Sequence, residues 1–250
     1  MSGKRFPKVM KYQFIAPDKK QIIIGLILSY IYIFSRRYVT SLLAHLSSIN
    51  DPENLGYHLT FLIRMIVLVI FIVLLKENLL HFLNDFKDSK FKDNFKWMMK
   101  GILYLYLFRL VFSALILLIR YLLHTDTTAL FVGNSLNESS IAELTEAFPV
   151  YYIFVIFLGP IGEEIVFRYI IFHFFRKIGG VFAIILSSFV FGLCHVIGEF
   201  AQGMYLQGLI QLIVYMMPGF ALALMYERRK NLTHCMVLHI MHNLISELIG

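Results

Sequence analysis

Seven stretches of the chain are dominated by apolar residues, at roughly 21–35, 57–75, 101–123, 148–175, 181–197, 206–226 and 232–249. A run of about 18 or more such residues is long enough to cross a hydrocarbon core roughly 30 Å thick as a helix. The pattern predicts an all-α, polytopic transmembrane helical bundle of about seven spans, within a range of six to eight. The first run is short and ends at Arg36-Arg37, so that helix either tilts or continues past them as an amphipathic segment. Segment 76–100 mixes Lys with Asp and Glu between aromatic residues, which reads as a cytoplasmic interfacial helix or loop. Segment 124–147, with Asn134, Ser135, Asn137, Ser139 and Ser140, divides the chain into two unlike halves. Residues 1–147 hold N-terminal spans with a basic tail and loop. Residues 148–250 hold nearly all the chemistry-capable side chains, although the intramembrane Arg64, Arg109 and Arg120 lie in the first half. The two halves read as one integrated membrane domain, with no internal repeat and no separate soluble domain.

Composition agrees with the pattern. Of 250 residues, 58% are apolar and 16% charged, against about 25% charged in a typical soluble domain. The net charge of +7 is distributed as a topology signal. Lys and Arg crowd the N-terminal tail (Lys4, Arg5, Lys8, Lys11, Lys19, Lys20), the first two loops, Arg176-Lys177 and Arg228-Arg229-Lys230. They are absent from 124–147, from 198–205 and from the C-terminal end. Alternating basic and non-basic loops predict a cytoplasmic N-terminus and an external C-terminus. This charge is no nucleic-acid footprint, and a basic tail beside anionic membrane lipids accounts for the remainder. The first twenty residues are polar and basic, so no cleavable signal peptide is expected. Cys194 and Cys235 both fall in apolar runs and make no disulfide framework.

Three motifs interrupt the apolar runs of the second half. Glu163-Glu164-Ile165-Val166-Phe167-Arg168 follows Gly159-Pro160 in a stretch otherwise apolar from Phe148 to Phe175. An acidic residue at a span centre costs about 2.5–3.5 kcal/mol on insertion scales, and two in succession need a reason. Glu164 and Arg168 are four apart, share a helical face and can pair. Glu163 points about 100° away and can face a cavity. The plainer alternative is a helix-end pair snorkelling to the interface. The second motif, Phe191-Gly192-Leu193-Cys194-His195, puts Phe191 and His195 one turn apart. Alone, His195 would read as a hydrogen-bonded core histidine. Cys194 reads as packing, since adjacent helical residues diverge. The third, His239-Ile240-Met241-His242-Asn243, puts His239 and Asn243 on one face, with His242 displaced and His234 near the helix start. By itself it could be an interhelical hydrogen-bond patch. Together the motifs gather Glu, Glu, Arg, His, His and Asn from three consecutive spans, which points to function.

No Gly-x-Ser-x-Gly elbow, intraspan Asp pair or His-Glu-x-x-His is present, so serine, aspartyl and zincin-type proteolysis are poorly supported. A carboxylate with imidazoles suits general-base activation of water. One histidine can orient the water or protonate the leaving amine, while a second and an Asn amide can stabilise an oxyanion. A Glu and two His could equally hold Zn²⁺ with an open position. The residues alone do not choose between these schemes. A proton-coupled transporter would also use intramembrane Glu and His, but the matching discontinuous helices of such proteins are missing.

Glu-Glu-x-x-x-Arg, Phe-x-x-x-His and His-x-x-x-Asn on successive membrane helices resemble the CPBP (CAAX protease and bacteriocin-processing, or Abi) family, which includes the type II CAAX prenyl endopeptidases. The resemblance covers roughly 148–250, with Pro160-Ile161 and Phe167-Arg168 extending the first motif. It implies an intramembrane endopeptidase acting on a membrane-associated peptide or lipid-modified protein. By carry-over Glu163 would be the general base and His195 its water-orienting partner. His239 and Asn243 would form the oxyanion site, and Glu164 with Arg168 a buried pair fixing the helix. Phe191 would lie beside the substrate. The scheme requires no cofactor; a zinc, if bound, would sit on Glu163, His195 and His239. Bacteriocin self-immunity or peptide-signal maturation in a bacterial plasma membrane is the implied setting. A non-catalytic immunity or regulatory scaffold is the competing reading. Two departures bear on substrate preference: Tyr169 follows Arg168 where many members have a small residue, and Arg229-Lys230-Asn231-Leu232 replaces the usual Thr-Gly-Ser approach to the last motif. Oligomeric state is not legible in the sequence.

Overall fold

A computed structural model describes residues 15–45, 51–123 and 135–249. The expectations for Lys4, Arg5, Lys8, Lys11 and for 124–134, including Asn134, lie outside the described residues, as does the side chain of Arg120. Among the described residues every element is a helix and there is no strand, as the apolar pattern predicts.

Helix α1 (Lys19–Ala44) opens with a capping box: Asp18 Oδ1 accepts the Gln21 amide at 2.7 Å and Gln21 Oε1 accepts the Asp18 amide at 3.0 Å, so two orphan donors are satisfied reciprocally. It runs well past Arg36-Arg37, where the apolar run ends. The reason is local: the Arg36 guanidinium donates to the Tyr57 hydroxyl at 2.7 Å and lies 4.3 Å over that ring, so the charge is held against the neighbouring helix. Helix α2 (Pro52–Leu74) starts at an Asp51 cap with Pro at the first position, where the missing N–H costs nothing. Segment 76–100 is helical throughout except at a corner. Helix α3 (Lys76–Asp88) ends at Ser89, and α4 (Phe91–Leu123) starts ten residues before the apolar run it carries. Helix α5 (Leu136–Ala147) opens on a second capping box, Ser135 with Glu138.

The catalytic-type motifs sit on the remaining helices. Helix α6 runs from Tyr151 to Arg176 and changes pitch four times: α over Tyr151–Ile153, π over Phe154–Leu158, α over Gly159–Glu164, π over Ile165–Ile171 and α over Phe172–Arg176. π-Turns are rare and concentrate at functional sites. Helix α7 (Gly180–His195), the short α8 (Ile197–Ala201), α9 (Tyr205–Arg229) and α10 (Leu232–Ile249) complete the bundle. Helix α9 contains Pro218 and ends on Lys230 in the left-handed region, φ 58°.

Among the described residues four helices are long and apolar enough to cross a membrane: α1, α2 over Asn54–Leu74, α4 over Phe91–Leu115, and α9; α7 is apolar but shorter. The other expected spans, α6 and α10, carry the first and third polar motifs, and the shorter α7 carries the second. Exposed Ile23, Ile27, Leu62, Ile66, Val73, Leu103, Leu107 and Leu110 line the outer faces of α1, α2 and α4, the surface an integral membrane protein offers to lipid. Helix α6 lies at the centre. Ile165, Val166, Phe167, Tyr169, Ile170 and Phe172 are all at most 2% exposed, so this stretch of α6 is enclosed by its neighbours on every side.

Among the described helices, α7 and α9 share the most extensive contact. A Cβ added at Gly192 would lie 2.8 Å from the Leu212 carbonyl oxygen and 2.8 Å from Met216 Cγ. Backbone cannot move aside as a side chain can, so Gly192→Ala is expected to lower stability by about 1–3 kcal/mol. Thermal unfolding of detergent-solubilised protein checks this; an unchanged transition would show that the two helices can separate freely.

Candidate active site

Adjacent glutamates on one helix turn receive opposite treatment. Glu164 is fully buried. Its Oε2 lies 3.3 Å from Arg168 Nε, and its Oε1 lies 2.9 Å from His239 Nδ1 on α10. Arg168 is fully buried too, with its guanidinium 5.0 Å over the Phe191 ring. The Glu163 side chain stays 26% exposed, and its Oε2 is 3.7 Å from His239 Nε2. His239 therefore stands between two carboxylates. Its Nδ1–H donates to Glu164 Oε1, while Nε2 faces Glu163 across a gap longer than a hydrogen bond.

His195 ends α7. Its Nδ1 donates to the Phe191 carbonyl at 2.8 Å, which fixes the tautomer and leaves Nε2 for other work. Its ring stacks on Tyr215 of α9 with centroids 4.7 Å apart and planes 23° apart, and lies 4.5 Å from the Phe191 ring. The Tyr215 hydroxyl is 2.6 Å from Ser135 Oγ, so the start of α5 holds the imidazole through a tyrosine. No pattern in the sequence separates Tyr215 from an ordinary core aromatic. Phe191 is 3% exposed and enclosed by Phe167, Arg168, His195 and His239. It packs the site together and offers almost no surface to a substrate in this arrangement.

Asn243 is anchored for a reason that lies in α6. In the π-turn the Gly159 amide donates to the Phe154 carbonyl, so Val155 loses its α-helical partner. Five residues beyond Val155 stands Pro160, which has no N–H. The orphaned Val155 carbonyl accepts Asn243 Nδ2 at 3.0 Å. An amide carries two N–H groups, so the second remains. Glu163, Glu164, Arg168 and His239 are thus brought together directly, His195 joins them through the Phe191 ring, and Asn243 is tied to the same helix as the glutamates. Cys194 is only partly buried and makes no disulfide. His242 lies apart from the carboxylates, edge-on to Tyr106 at 5.9 Å.

The two departures from the family pattern have structural partners. Tyr169 is fully buried, edge-on to Phe82 at 5.6 Å. Arg229 donates to Ser89 Oγ at 2.9 Å, Asn94 Oδ1 at 3.2 Å and His234 Nε2 at 3.1 Å, while Asn231 Nδ2 donates to Asp85 Oδ2 at 2.7 Å. These bonds dock the α9–α10 turn onto the α3–α4 corner.

The profile of the Type II CAAX prenyl endopeptidase Rce1-like family matches residues 145–245. Residues 145–245 are thus similar to an Rce1-like domain. All six residues expected at the site fall inside it. A Bacillus subtilis (strain 168) protein named "Putative membrane peptidase YdiL" is 34% identical over 108 residues, which is 43% of this chain and 40% of that protein. The chain therefore matches well under half of that relative's length. No solved structure matches. Within the matched region the zinc alternative meets a geometric obstacle. Among the described residues no three His, Cys, Asp or Glu side chains are grouped as a metal site requires, so Glu163, His195 and His239 do not fit a zinc ion as placed.

Proposed function

We propose that the chain is an intramembrane endopeptidase that hydrolyses a peptide bond of a membrane-associated peptide or protein with a glutamate-activated water. The observation that carries this reading is the division between the two carboxylates. Glu164 is spent on Arg168 and His239, whereas Glu163 is partly exposed and only loosely approached by His239. In this scheme Glu163 takes a proton from water while His195 Nε2 holds that water in line. The hydroxide adds to the scissile carbonyl carbon, and the oxyanion receives hydrogen bonds from the remaining Asn243 N–H and from protonated His239. The C–N bond then breaks, and the proton held by Glu163 passes to the leaving amine. Glu164 and Arg168 act as positioning residues, holding His239 and the α6 turn.

The protein belongs in this reading to a bacterial plasma membrane, with its N-terminus cytoplasmic, and serves peptide maturation or self-immunity. The test is cleavage of a panel of CAAX-type and amphipathic signal peptides by purified protein, with His195→Ala alongside and a chelator in half of the reactions. Cleavage by the wild type, loss in His195→Ala and persistence with chelator are expected. Activity lost to chelator and restored by Zn²⁺ would replace the metal-free scheme. Full cleavage by His195→Ala would remove that histidine from it.

A further inference from the structure

The corner between α2 and α3 is pinned from inside. Gln21 Nε2 on α1 donates to the Leu74 carbonyl at 3.3 Å and to Asn78 Oδ1 at 3.1 Å. Leu75 and Phe82 beside it are buried. On its open side the corner forms a notch of about 560 Å³, lined by Ile72, Val73, Lys76, Leu79, Leu80 and Leu83. Small-molecule sites typically measure about 300–1,000 Å³. Five of the six lining residues are apolar, and Ile72, Val73, Leu80 and Leu83 among them are exposed.

Charge is sorted around this notch. At about 100° per residue, Lys76, Leu80, Leu83 and Lys87 fall within about 60° of one another on α3. Glu77 and Asp88 are turned about 100–120° away from Lys76. Asp85 lies on the opposite face, where its Oδ2 accepts Asn231 Nδ2. A leucine stripe with a lysine at each end suits a helix lying in a membrane interface, its lysine stems along apolar surface and its ammonium groups among headgroups. Lys76 forms no ion pair among the described residues. Helix α3 also starts at this corner without a side-chain cap, so the positive end of its dipole adds to the ammonium charge.

We propose that the notch binds one anionic phospholipid, with its phosphate on Lys76 and the start of α3 and an acyl chain along Ile72, Val73, Leu80 and Leu83. The chemistry selects this occupant. A free phosphate would leave the apolar walls in water, and a neutral lipid would leave the cation and the helix end without a counter-charge. A phospholipid satisfies both, since lysine binds phosphate as a point charge and lysines directly following a span attract anionic headgroups. Lys90, Lys92, Lys96 and Lys100 follow α3, and Lys19 and Lys20 precede Gln21, so the corner lies at the basic end of the bundle. Helix α3 then bridges a lipid on one face and the α9–α10 turn on the other. The site is separate from the proposed hydrolysis and does not depend on it.

The experiment places the full chain in bilayers containing brominated phosphatidylglycerol or brominated phosphatidylcholine. Val69→Trp puts an indole one turn before Val73, at an exposed position of α2. Trp97 is the single natural tryptophan, and its signal is subtracted using protein without the substitution. Quenching is expected to show about a fivefold preference for phosphatidylglycerol, the scale of one lysine at an anionic surface. In the Val69→Trp background, Lys76→Gln is expected to bring the ratio near one, whereas Lys76→Arg and Lys92→Gln, the latter outside the notch on α4, leave it unchanged. Equal quenching by the two lipids overturns the proposal, as does a preference that survives Lys76→Gln. An equal fall in Lys92→Gln would assign the preference to diffuse surface charge and also overturns it. Weak quenching by both lipids overturns it too, and a dimeric mass in that case gives the notch to a second copy of the chain.

Discussion

Glu163→Gln is expected to abolish peptide cleavage while leaving the protein folded and inserted. The substitution is isosteric and removes only the basic oxygen. General-base catalysis contributes about 10²- to 10⁴-fold, and a loss in that range or greater is expected in kcat/KM. Because Glu163 is the more exposed carboxylate and its contact with His239 is 3.7 Å, little packing depends on its charge. The melting transition is therefore expected to move little. Single-turnover cleavage and thermal unfolding on the same preparation check both halves of the statement. Retained cleavage would leave the open carboxylate without a task and favour a scaffold that binds its partner through the same pocket. A large fall in stability would mean that Glu163 is a structural residue instead.

Arg168→Leu is expected to have the opposite profile. Glu164 and Arg168 are both fully buried, and removing one member of a buried pair strands the other charge. The expected destabilisation is about 3–5 kcal/mol. Activity should fall with it, because His239 is held by Glu164 Oε1. The double variant Glu164→Gln/Arg168→Met removes both charges while leaving an amide oxygen for His239, and is expected to recover much of the lost stability. Unfolding in detergent of Glu164→Gln, Arg168→Met and the double variant gives the coupling. A single Arg168→Leu variant as stable as the wild type would show that water reaches the pair, against its burial.

Much of the architecture could be read from the chain, and the features that escaped have definite causes. Periodicity and run length predict a helical membrane bundle because the bilayer demands that backbone groups be satisfied within each span. Spacing of four places Glu164 beside Arg168 and His195 beside Phe191, and both contacts are present. The ends of helices were less legible. Helix α1 outruns its apolar stretch because Tyr57, distant in sequence, takes up Arg36. The pitch changes in α6 leave no signature at the level of apolar and polar positions, since the whole of it is apolar around the glutamates. Tyr215 was invisible for a related reason: an aromatic in a membrane span looks alike whether it fills space or stacks on an imidazole. The docking of Arg229 and Asn231 onto Ser89, Asn94 and Asp85 likewise depends on contacts remote along the chain.

The bond between Asn243 and the Val155 carbonyl has a consequence for how such sequences change over generations. Pro160 and Asn243 act on the same carbonyl oxygen, one by withholding a donor and the other by supplying it. A change at either position alters what the other is needed for. Any residue but proline at 160 brings an amide that competes for the oxygen, and any residue at 243 without an N–H donor leaves the oxygen bare in a medium that punishes it. The two positions are thus coupled, and a substitution at one changes what a substitution at the other costs.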